Sequence, residues 1–157
     1  MSNDITARLA SLGITLPDAP APAANYVPYV VVGDMVYISG QVPMVGGKLQ
    51  ITGHVGKDIS PEQAKEQAQI CAINLLAQLK SACGGDLSKV KRVVKLGGFV
   101  ACTPDFTGQP GVINGASDLM AEVFGDDGQH ARFAVGTNAL PLGCVVEVEG
   151  TFQIHLS

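Results

Sequence analysis

The stretch "SPEQAKEQAQICAINLLAQLKSACGG", residues 60–85, decides the fold. Ser60 is placed as an N-cap, Pro61 takes the first helical position, and Gln63 completes a capping box. Ala64, Ala68, Cys71, Leu75 and Leu79, flanked by Ala72 and Leu76, recur at helical spacing and form one apolar stripe. Gly84-Gly85 ends the run. A helix with one such stripe must bury it, and the runs on either side of it are β-forming.

Upstream, "YVPYVVVGDMVYISGQVP" holds two β-rich runs around Gly33-Asp34, the pattern of a hairpin. "MVGGKLQITGHVG" reads as a loop and short strand turning at Gly46-Gly47. Downstream, "LSKVKRVVKLGGFVACT" reads as a strand, with Gly97-Gly98 marking a bulge or close packing. A second helix follows, its stripe set by Val112, Ala116, Leu119, Met120 and Val123, and Gly125 closes it. After the polar turn "DDGQH" come "ARFAVGTN", the "ALPLG" corner and the final strand "CVVEVEGTFQIHLS". On that strand Glu147 and Glu149 share a face.

The N-terminal segment, residues 1–26, predicts a short helix with Ile5, Leu9 and Leu12 on one stripe and a stop at Gly13. An extended Pro/Ala-rich run then leads into the sheet. The whole order specifies one α+β domain over 1–157: a mixed sheet with two main helices on one face. The other face lacks a cover within the chain, which points to a homo-oligomer.

Composition bounds the function. The chain has 157 residues, 46% of them hydrophobic and 15% charged, with a net charge of −4 and a pI of about 5.2. An acidic chain with no basic stripe makes nucleic-acid binding an unlikely role. Cys71, Cys83, Cys102 and Cys144 show no zinc spacing and read as small buried hydrophobes, so no metal site is expected. No apolar run spans a membrane and no secretory leader is seen, so a cytoplasmic protein is expected.

"HARFAVGTNALPLGCVVEVEG", residues 130–150, raises the chemical question. Arg132 heads an apolar β run, either as an edge charge or as a fixed cation for an anionic ligand. Together with "GDMVYISGQVP" and "VINGASDLMAEVF", this block resembles the Rid (YjgF) family of imine deaminases, over roughly Val27 to Ile154.

The resemblance implies a chorismate-mutase-like fold, a homotrimer with clefts between subunits, and hydrolysis of reactive enamines or imines to 2-oxo acids and ammonia without a cofactor. It implies Arg132 as the carboxylate holder and Glu147 as the acid beside the attacking water. Tyr29, Ser39, Gly40 and Asn114 match pocket positions. Ala134, also in the pocket, stands where many active relatives carry a cysteine. The Leu140-Pro141 corner is expected to fold Arg132 and Glu147 onto adjacent strands. The alternative function is a module that binds a small carboxylate, such as a 2-oxo acid, without turnover. Ribonuclease activity conflicts with the acidic charge, and mutase activity would rest on shared fold alone.

Overall fold

The computed structural model describes residues 2–21 and 25–156. Thus most of the predicted extended run is described, while residues 22–24 lie outside it. Helix α1 spans Ser2–Ser11; β1 and β2, Tyr29–Val32 and Met35–Gln41, form the hairpin around Gly33-Asp34. A second small hairpin, β3 and β4, pairs Met44–Val45 with Lys48–Leu49, where the sequence had suggested only one short strand.

Helix α2, Pro61–Ala82, begins with both halves of the predicted capping box made: Gln63 N–H donates to Ser60 Oγ, and Ser60 N–H to Gln63 Oε1. Strand β5, Val90–Ala101, is followed by α3, Gln109–Phe124, then β6, Ala131–Thr137, and β7, Val146–Ile154. Single 3-10 turns precede β5 at Leu87–Lys89 and β6 at Gly125–Gly128, shortening the strand and replacing the plain turn read from sequence.

The main sheet runs β1-β2-β7-β5-β6, antiparallel throughout except for β5 and β6, which are parallel. The α3 crossover makes β6 the edge strand beside β5, and β7 pairs with the opposite edge of β5. The strands of Arg132 and Glu147 are therefore not neighbours, contrary to the expectation from the Leu140-Pro141 corner. A parallel pair needs a long crossover, and α3 supplies it, so order along the chain does not set order in the sheet.

Helices α2 and α3 pack on one face, over Val93, Leu96, Val100, Val146, Val148 and Phe152, all fully buried. Helix α1 docks at the end of α3, where Arg8 Nη1 donates to the carbonyl of Val123 (3.0 Å). The predicted α1 stripe is only partly buried: Leu9 is buried and Leu12 exposed. Among the described residues no helix covers the opposite sheet face. That face leaves Val30, Val32, Tyr37 and Val135 exposed.

Gly97 and Gly98 act through close packing. A Cβ at 97 would lie 2.5 Å from the Phe133 ring, and one at 98 would lie 2.5 Å from Ile113 on α3. The pairing irregularities of β5 fall earlier, between Val90 and Lys95.

Gly115 sets the approach of the two main helices, because a Cβ there would collide with the backbone carbonyl of Lys65 on α2. Gly115→Ala gains about 1 kcal/mol of helix propensity but forces two helices apart, at about 1–3 kcal/mol or more. The expected result is a melting temperature several degrees lower, read by calorimetry.

Candidate active site

Arg132 lies opposite Leu96 in the parallel β5–β6 pair, so its side chain leaves the sheet on the helix face. At the edge it meets α3 instead of the core. Its Nη1 donates to Ser117 Oγ (3.1 Å) and its Nη2 to the carbonyl of Pro110 (3.2 Å). Asn114 falls between Pro110 and Ser117 on the same side of α3, since residues four and seven apart stack along a helix. Ala134, two residues beyond Arg132, points to the same side and packs against the core rim. Arg132, Asn114 and Ala134 therefore share one groove between β6 and α3.

Both fixed acceptors of Arg132 are neutral. The one ion pair among the described residues joins Lys65 to Asp118 (3.8 Å). A guanidinium has five N–H donors, so this one keeps free donors and a full positive charge at a half-exposed edge. Sequence reasoning missed Ser117 as its holder. The available signal was spacing, because Ser117 lies three residues beyond Asn114 on one helical side.

Glu147 lies elsewhere. It pairs with Phe99 and projects from the open face of the sheet, as does Glu149. Its carboxylate fills the space above Gly40, where a Cβ would stand 2.8 Å from Glu147 Oε2. Gly40 sits in the irregularity between Ile38 and Gln41 that brings β2 close to β7. Ser39 turns away and donates to the carbonyl of Val27 (3.0 Å). Tyr29 is further off: its hydroxyl bonds Ser81 Oγ (3.0 Å) at the C-terminal end of α2.

Burial raises the Glu147 pKa, and the nearby charge of Glu149 adds to it. A raised carboxyl pKa means that the fold favours the neutral acid. That contribution is present below the unfolded pKa and is lost as pH rises through the folded one. Glu147→Gln should therefore raise the melting temperature of the protein at pH 8, with the difference shrinking as pH falls below the carboxylate range. Thermal melts across pH check this.

Arg132 and Glu147 are two strands and three register positions apart, about 14 Å between Cα atoms, on opposite faces of the sheet. One chain brings together Arg132, Asn114 and Ala134 in one place, and Glu147 and Gly40 in another.

A separate cleft of about 600 Å3 opens at the ends of β5 and β6, lined in part by Lys57, Cys102, Phe106, Gln109 and Asn138. None of the sequence-predicted site residues lines it. Cys71, Cys83 and Cys144 are buried free thiols; burial pushes the Cys144 thiol up to about 11. Among the described residues no group of three or more His, Cys, Asp or Glu is placed to hold a metal ion. No helix among the described residues is long and apolar enough to cross a membrane.

The fold is an α+β domain with a free cation, Arg132, at the edge of its sheet. The chain belongs to the family described as "YjgF/chorismate_mutase-like, putative endoribonuclease", which it matches over residues 6–151. It is 46% identical to Protein TCP17 of Trypanosoma cruzi over 98% of this chain and 96% of that one. It is 31% identical to the 2-iminobutanoate/2-iminopropanoate deaminase of Dermatophagoides farinae, over 90% and 95% of the two chains. The crystal structure of Atu1372 from Agrobacterium tumefaciens, a protein of unknown function, superposes with a TM-score of 0.92 at 50% identity, covering 98% of this chain and 94% of that one.

Proposed function

We propose that the protein hydrolyses small imines that carry a carboxylate, in a cleft assembled from two copies of the chain within a homotrimer. The observation that carries this reading is Arg132, held in place by Ser117 and Pro110 and left without an acidic partner. The deaminase relative from Dermatophagoides farinae supports the reaction class.

In the cleft, Arg132 holds the substrate carboxylate through two parallel N–H donors, which also orients the imine carbon. Asn114 and Ala134 line the same copy's side. Ser39, Gly40 and Glu147 come from the neighbouring copy. Glu147, its pKa raised by burial, takes a proton from a water as that water adds to the C=N carbon. Glu147 returns that proton to the imine nitrogen, and the carbinolamine so formed passes its hydroxyl proton to the nitrogen, which leaves as ammonia and yields the 2-oxo acid. The imine is already electrophilic, so the reaction asks for no cofactor. Tyr29 takes part only if assembly frees its hydroxyl from Ser81.

The test generates 2-iminobutanoate in situ with a dehydratase and follows 2-oxobutanoate release. Faster release with the protein present supports the reading, and unchanged rates across several imines, aromatic ones included, end it. Ala134 favours a second reading, because a methyl group supplies no proton to the reacting centre. In that case the same groove binds a 2-oxo acid without turnover. Binding lost in Arg132→Ala, with no turnover in the natural protein, identifies that outcome.

A further inference from the structure

Arg132 is held by a chain of hydrogen bonds that runs past α3. His130 Nδ1 lies 2.6 Å from the carbonyl of Gly128, and its Nε2 lies 2.8 Å from Ser117 Oγ. Ser117 Oγ in turn receives Arg132 Nη1 at 3.1 Å. A carbonyl only accepts, so Nδ1 carries the proton. In the neutral ring Nε2 then has a lone pair, and the single Ser117 hydroxyl hydrogen points to it. This fixes the hydroxyl rotor and leaves its lone pairs for Arg132. A helical serine otherwise tends to bond the carbonyl one turn back, and His130 supplies the competing acceptor here.

We propose that Ser117 and His130 are positioning residues, with neutral His130 orienting the Ser117 hydroxyl so that Arg132 stands ready for a ligand carboxylate. The inference rests on Arg132 being the carboxylate holder. Protonation of His130 would reverse the bond. Nε2 would become a donor to an oxygen that already receives Arg132, and the hydroxyl hydrogen would turn to the carbonyl one turn back.

Charged groups of both signs lie on the elements beside His130. Arg132 on β6 and Arg92 on β5, which donates to the neighbouring Gln129 carbonyl (3.0 Å), are cations. Asp118 and Glu122 on α3 line the groove toward α2, where Asp118 pairs with Lys65. Asp126 and Asp127 lie on the turn before His130, and Asp127 lines the cleft shared with Arg8 and His155.

Two measurements test this on the full-length protein. Long-range proton–nitrogen NMR of the His130 ring, without ligand, should show the Nδ1–H tautomer at pH 8, and an Nε2–H tautomer overturns the proposal. Calorimetry with 2-oxobutanoate should give about tenfold weaker binding for Ser117→Ala and His130→Ala at pH 8, the loss of one hydrogen bond to a charged group. His130→Gln, whose Oε1 can accept from Ser117, should bind like the natural protein at pH 8. Natural-like binding in His130→Ala, with binding lost in Arg132→Ala, overturns the inference and leaves the proposed function standing. Natural-like binding in Arg132→Ala overturns both.

Discussion

Arg132→Ala should weaken 2-oxobutanoate binding on the order of 100-fold, with imine hydrolysis reduced at least as much. The side chain supplies charge-assisted donors, each worth about 1.5–3 kcal/mol when aimed at an anion. Nothing else in its groove replaces them, since Asn114 and Ala134 carry no charge. The fold should survive, because Arg132 sits at the sheet edge and gives up only bonds to Ser117 and the Pro110 carbonyl. Arg132→Lys should recover part of the affinity through charge and still lack the planar fork that orients a carboxylate. Calorimetry for binding and thermal melts for stability separate the two effects.

The second large effect is on stability. Phe152 is the largest fully buried side chain of the core, set on β7 under the helices, and its ring also fills the space beside Gly150. Phe152→Ala should cost about 3–5 kcal/mol, because β7 lies in the middle of the sheet and cannot collapse into the cavity. For a chain of this length that is a fall of roughly 10 °C in melting temperature. A much smaller loss would mean that the core repacks around the gap.

Much of the fold was legible because local chemistry and global burial agree. The Ser60–Gln63 capping box, the stripe from Ala64 to Leu79 and the Gly33-Asp34 turn are local signals, and the structure realises each of them. Strand order was not legible. Nothing local in "ARFAVGT" says that it pairs in parallel with β5, and the corner after it invited the wrong neighbour.

The candidate site was legible by residue type but not by face. Side chains alternate along a strand, so the register of β6 against Leu96 alone decides whether Arg132 meets α3 or the open face. The same alternation sends Glu147 to the opposite side. Ser117 drew no attention in the sequence and His130 read as a loop histidine with little claim to a role, because their pairing depends on the crossover that lays α3 along β6. The uncovered sheet face, with its exposed valines and Tyr37, fits the oligomer expected from sequence, and the separated site residues supply a second reason for it.

The central claim is that Arg132 of one copy and Glu147 of another make one site. The most direct measurement is the imine-hydrolysis rate of Arg132→Ala and Glu147→Gln proteins, each inactive alone, after they are unfolded and refolded together. If each site draws the two residues from different copies, random mixing restores about a quarter of the natural activity. If the mixture stays as inactive as its components, both residues serve from a single chain and the account is contradicted.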